Sequence, residues 1–203
     1  MNKKNLSMCW ATRSVGPVAV AGIALAALGV SACGSATARE GQASSYLIVE
    51  RMVMGDGSSG VVFQSDVHGD NTIVEDGASV TLGAAMRDVT NVNGPTSNNL
   101  ITVTRYRVTY RRSDGRNTPG VDVPYAFDGA VTGTLGPGDS ITLPFVMVRI
   151  QAKLEAPLAA LTGHGGAAAI STIADVTFYG HDQTGREVSV TGSTSVNFAD
   201  WAG

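Results

Sequence analysis

The sequence predicts an all-β protein, an antiparallel β-sandwich with one short helix in a connecting loop. Three observations predict it: apolar and polar residues alternate at period two in several separate segments, turn residues punctuate them about every eight to twelve residues, and no long helical periodicity interleaves. With 203 residues, 43% apolar and 15% charged, the chain has material for one domain plus an appendage. A formal net charge of −3 and 6% aromatic residues exclude a basic nucleic-acid binder and a disordered acidic chain.

Tyr46 to Met54 is rich in β-formers and apolar enough for burial on both faces, which predicts the first strand. Gly60 to Gln64 and Ser79 to Met86 follow as strands, the second pointing Val80, Leu82, Ala84 and Met86 inward. Thr102 to Arg112 is the clearest strand: Tyr106, Val108 and Tyr110 share one face, and Arg105, Arg107, Thr109 and Arg111 the other. Ile101 and Val103 are apolar in the opposite phase, which predicts a bulge near Thr104. Val121, Val123, Tyr125 and Phe127 alternate again, but Pro124 cannot donate to a ladder and moves this stretch to a sheet edge. Ile141 to Ile150 is apolar on both faces, and Pro144 places its start at an edge or bulge. Pro157 suits a first helical position, Leu158 and Leu161 share a face and Gly163 sits where a helix stops; together they predict the short helix. Ile170, Ala174, Val176 and Phe178, a turn at His181 to Arg186, and Val188, Val190, Val196 and Phe198 predict a long C-terminal hairpin.

Tyr106-Arg-Val-Thr-Tyr110 followed by Leu135-Gly-Pro-Gly-Asp-Ser-Ile-Thr-Leu143 resembles the middle strands of fibronectin type III and immunoglobulin-like modules. The resemblance implies an immunoglobulin-like sandwich over residues 46–203. This chain departs from the antibody-type pattern in having no cysteine pair after residue 33 and no Trp in its middle strands, Trp201 lying near the terminus.

The appendage is N-terminal. Lys3, Lys4 and Arg13 precede an uncharged, mainly apolar run from Val15 to Ala32, a basic n-region followed by an apolar h-region. Its length is borderline for a membrane span, and its ending decides the reading. Val30-Ser31-Ala32-Cys33 resembles the lipobox of bacterial lipoproteins, which implies cleavage before Cys33 and diacylglyceryl transfer to its sulfur. Residues 1–32 are then a signal peptide. Cys9 is removed with them, so Cys33 is the sole remaining cysteine, and neither a disulfide within the mature chain nor a catalytic or zinc-binding thiol is available. Each buried acyl methylene contributes roughly 0.8 kcal/mol, so two or three chains tether stably. Residues 33–45 are small and polar, a flexible tether. Gly34 stands where an aspartate retains Gram-negative lipoproteins at the inner membrane; the resemblance implies outer-membrane placement in such a host.

After cleavage eleven basic residues stand against seventeen acidic ones, a net charge of −6, with Lys153 the one lysine among ten arginines. An acidic surface disfavours nucleic acid and anionic headgroups. The partners expected are the membrane, through the lipid, and another envelope protein or a glycan.

Gly55-Asp-Gly-Ser-Ser-Gly60 spells a dinucleotide fingerprint, but Val61-Val62-Phe63 continues as strand where a phosphate site needs a helix N-terminus, so it reads as a hairpin turn. Asp66, Asp70, Asn71, Glu75 and Asp76 form the densest oxygen-rich segment; calcium takes such ligands, although the spacing matches no EF-hand. His68, His164 and His181 are too far apart in sequence for a helical metal pair, and no G-x-S-x-G elbow exists. Arg105, Arg107, Arg111, Arg112 and Arg116 hold half of the arginines after Cys33. Arg105, Arg107 and Arg111 form the candidate ligand stripe, able to fork onto sulfate, phosphate or carboxylate, or to pair with aspartates across the sheet. The sequence therefore predicts a lipid-anchored binding or structural module without enzymatic activity, cofactor or metal. The alternatives are an envelope hydrolase built on a histidine and a calcium-dependent adhesion module.

Overall fold

The computed structural model describes residues 42–54, 62–69 and 72–201, all within the compact unit Glu40–Gly203. The segments expected to be a signal peptide (1–32) and, for the most part, a tether (33–45), with Cys33 and the glycine-rich segment at 55–60, lie outside the described residues.

Two sheets face each other. The smaller has the order β1-β3-β6, with β1 at Ser45–Met54, β3 at Asp76–Met86 and β6 at Ser140–Val148. The larger has the order β2-β8-β7-β4-β5, formed by β2 (Val62–Asp66), β8 (Glu187–Ala199), β7 (Ala169–Asp182), β4 (Ile101–Arg111) and β5 (Phe127–Leu135). One short α-helix, α1 (Ile150–Leu154), and 3₁₀ turns at Ser97–Asn99 and Leu158–Leu161 complete the elements. This is an all-β sandwich, and its strand order corresponds to the immunoglobulin-type arrangement. β1 pairs within the smaller sheet and β2 runs parallel to β8, the one parallel strand pair among the described residues.

β4 carries the core. Ile101, Val103, Tyr106, Val108 and Tyr110 are all buried, although the first two are out of phase with the last three. The ladders to β5 and β7 both shift register between Val103 and Arg105; Thr104 is the bulged residue, as the sequence phase requires. From the opposite sheet Val80, Leu82, Leu143, Phe145 and Met147 close the core. Tyr106 packs edge-on against Phe145, with centroids 5.4 Å apart, and against Phe127 at 6.3 Å. Each tyrosine hydroxyl on this face reaches the backbone of β6: Val146 N–H donates to Tyr106 Oη over 3.0 Å, and Tyr110 Oη donates to the Met147 carbonyl over 2.5 Å. Burial pushes both phenols above their ordinary range, so both stay protonated.

Three elements differ from the sequence expectation. β1 is an edge strand that leaves Tyr46 and Ile48 exposed, not a strand covered on both faces. β5 begins at Phe127, where the expected alternation ends, and contains Gly129 and Gly133. A side chain at Gly129 would collide with the Tyr106 ring, and at Gly133 a Cβ would meet Leu143 Cδ2 at 2.7 Å and Ile141 Cδ1 at 2.9 Å. Both glycines thus make room for core side chains. The expected strand Ile141 to Ile150 ends at Val148, and α1 replaces its last turn. Pro157 and Gly163 bracket the 3₁₀ turn as expected, Gly163 with φ +80°.

Gly180 of β7 offers a test of the packing. A Cβ there would sit inside van der Waals distance of the Thr102 carbonyl, a backbone atom that cannot yield. At Gly192 the first obstacle is the terminal methyl of Met52, at 2.9 Å, which can rotate away. Urea unfolding should show Gly180→Ala destabilised by about 1–3 kcal/mol, with Gly192→Ala close to wild type.

Candidate functional site

The two ends of the larger sheet differ in chemistry. At one end β2, β8 and β7 are aligned through Asp66, Ala199 and Ala169. Here Lys153 of α1 is turned inward and is 2% exposed. Its Nζ donates to Asp76 Oδ1 over 2.8 Å and to the Asp66 carbonyl over 2.7 Å. The Ser65 hydroxyl donates to Asp76 Oδ2 over 2.5 Å. One carboxylate thus joins β2, β3 and α1. Burial pushes the Asp76 carboxyl above its ordinary range, and the hydrogen bonds from Lys153 and Ser65 offset only part of that. The Asp66 carboxylate accepts the backbone N–H groups of His68, at 3.2 Å, and Trp201, at 3.3 Å. Asp200 is buried beside this region, and its Oδ2 accepts Gly163 N–H over 2.6 Å.

The acidic segment is therefore divided. Asp66 and Asp76 take part in hydrogen bonds that hold the fold, Glu75 is exposed, and Asp70 and Asn71 lie outside the described residues. Among the described residues no group of three or more His, Cys, Asp or Glu is placed to hold a metal ion. The histidines are split between the ends. His68 follows β2 and His164 precedes β7, whereas His181 is the penultimate residue of β7, a strand of fourteen residues spanning roughly 45 Å.

The arginine stripe lies on the solvated face of the larger sheet. Arg105 and Arg107 share Asp128 of β5, at 3.3 and 2.6 Å, and Arg111 pairs with Asp175 of β7 at 2.7 Å. The Arg105 guanidinium also lies 3.7 Å from the centroid of the Tyr179 ring. Ser193 donates to the same Asp175, whose carboxyl burial would raise but which Arg111 and Ser193 hold below its ordinary range. Hydroxyl pairs extend this face: Thr102 with Thr134 at 2.9 Å, and Thr177 with Thr191 at 2.8 Å. Arg112 and Arg116 pair with Asp114 and Asp122 in the loop beyond β4. Every arginine of the cluster thus has an aspartate within ion-pair distance.

Two hollows open where the sheets diverge. One, of about 410 Å³, lies at the Thr104 bulge between Ala130 to Thr132 of β5 and Pro144 of β6. The other, of about 350 Å³, separates Val49 to Met52 of β1 from Thr191 to Thr194 of β8.

No family model matches the chain, and no curated protein matches its sequence. Among solved structures, the structural-genomics target SoR45 is 10% identical with a TM-score of 0.34, over 79% of this chain and 89% of that one. A Bordetella pertussis protein described as ApaA is also 10% identical, with a TM-score of 0.35 over 78% and 97% of the two chains. The sporulation control protein Spo0M of Bacillus subtilis is 11% identical, with a TM-score of 0.31 over 75% and 49%.

The sequence reading did not find the Lys153 cluster, because its members come from three separate segments. The available signal was a single lysine among ten arginines after Cys33. Replacing it by methionine leaves Asp76 without its cation in a site only 18% exposed at the side chain. Chemical denaturation of Lys153→Met should show a loss of about 3 kcal/mol, the lower part of the range for removing one partner of a buried pair.

The stripe should behave differently. Changing Arg105, Arg107 and Arg111 together to Gln should lower the melting temperature only modestly, because exposed pairs are screened by solvent. A large loss of affinity for a sulfated glycan at unchanged melting temperature would identify these residues as a ligand surface.

Proposed function

We propose that this chain is a cell-envelope lipoprotein whose β-sandwich acts as a binding or structural module, tethered through lipid on Cys33 and without enzymatic activity. The observation that carries the reading is Val30-Ser31-Ala32-Cys33 at the end of an uncharged apolar run, with Cys33 the only cysteine from there to the C-terminus. An unpaired thiol in an oxidising compartment is a liability, and a thioether to lipid removes it. The twelve steps from Cys33 to the start of β1 at Ser45 give a reach of about 40 Å, enough to hold the sandwich clear of the headgroups. Gly34, standing where a retention aspartate would, favours the outer membrane of a Gram-negative host. A module that recognises a partner needs a stable face more than a reactive cluster, and the broad hydroxyl and arginine face of the larger sheet supplies one. Its partner in this reading is an envelope protein or a glycan.

Metabolic labelling with radioactive palmitate tests the anchor. Wild type should incorporate label and partition into the detergent phase, and Cys33→Ala should do neither. Label retained in that variant would refute the lipoprotein assignment.

A further inference from the structure

We propose that Lys153 and Asp76 condense into an intramolecular isopeptide bond, a covalent link between β3 and α1. The two groups are already in contact. Lys153 Nζ stands 2.8 Å from Asp76 Oδ1, so a rotation of the carboxyl would bring its carbon into the roughly 3–3.5 Å range that such reactions require. The Asp66 carbonyl, 2.7 Å from the same nitrogen, holds one N–H and so orients the amine. The Ser65 hydroxyl, 2.5 Å from Oδ2, donates to the oxygen on which negative charge develops during addition, the role of an oxyanion-hole donor.

The surroundings favour the neutral acid. Lys153 is almost wholly shielded from water, and burial pushes the Asp76 carboxyl above its ordinary range. Arginine cannot serve here, since a guanidinium does not give up its proton; this position alone departs from the arginine usage of the chain after Cys33. The site also lies in a domain with no cysteine to form a disulfide.

The step balances without an oxidant or a co-reactant. The ammonium passes one proton along its hydrogen bond to Asp76 Oδ1, leaving a neutral amine beside a neutral acid. The nitrogen lone pair adds to the carboxyl carbon, and the C=O π pair moves onto Oδ2, where Ser65 donates. A second proton passes from nitrogen to the Oδ1 hydroxyl, which departs as water as the C=O re-forms. One C–N bond forms, one C–O bond breaks, and the paired charges become a neutral amide with an N–H still directed at the Asp66 carbonyl.

Peptide mapping of the full-length protein, independent of the lipid anchor, tests this. Complete tryptic digestion should release residues 52–87 joined to residues 150–186, uncleaved after Lys153 and lighter than the two peptides by one water. In Lys153→Arg, which keeps a cation beside Asp76, the two segments should separate and 154–186 should appear alone. Amine acylation of denatured wild type should leave Lys153 unlabelled. Free 52–87 peptide from folded wild type, or quantitative labelling of Lys153 after denaturation, would overturn the proposal.

Discussion

The bulge at Thr104 is the constraint on which the arrangement of the sandwich depends. A regular strand cannot bury Ile101 and Val103 together with Tyr106, Val108 and Tyr110, because the pleat sends the two sets to opposite faces. One extra residue resets the phase, so a single strand supplies five core side chains. The same step places Arg105 and Arg107 outside, both within reach of Asp128. It also opens the hollow beside β5, since the paired strands cannot stay in register through the irregularity.

Given that phase, the contacts between sheets follow. Tyr106 and Tyr110 each lie two residues from Val108, facing inward along β4, and β6 lies opposite them. Their hydroxyls end on successive backbone groups of β6, at Val146 and Met147. A phenol in a core needs a partner, and here the partner is the backbone of an edge strand. Pro144 suits that strand, since its outer side has no ladder to supply. The hydrogen bonds thus fasten the less protected sheet to an interior strand of the other, across a core in which no disulfide joins them.

Much of the fold was legible in the sequence because the strands that matter most have one wet and one dry face. β4, β7 and β8 alternate cleanly, and even the phase break at Thr104 could be read. The strands that were misread are those whose pattern reflects distant neighbours. β5 was not expected over 127–135, where Gly129 and Gly133 break the apolar pattern because Tyr106, Ile141 and Leu143 occupy the space of their missing side chains. The apolar run of β1 suggested burial on both sides, but its position at an edge is a property of the topology. α1 was concealed in an apolar stretch whose β-propensity dominates, and only its inward lysine marks the change. The Lys153 cluster was not legible at all: Ser65, Asp76 and Lys153 become neighbours only when three elements close over one end of the sandwich. The arginine stripe was legible as a face, and its aspartate partners on β5 and β7 follow from pairing with strands on both sides of β4.

The ion pairs divide into two kinds with different consequences. Those on the outer sheet face and in the loop beyond β4 involve mostly solvated groups, with the Arg105 and Arg107 side chains about half exposed; water competes with them, and each adds little to stability. The Lys153 pair is shielded on nearly all sides, so either partner alone would be far more costly than both absent. Selection on the outer face can therefore exchange arginines, threonines and aspartates with little effect on the fold. At Lys153 and Asp76 the two positions are bound to each other. In the proposed binding role that separation would matter, because a surface that meets a partner could change while the clasp that closes the domain does not.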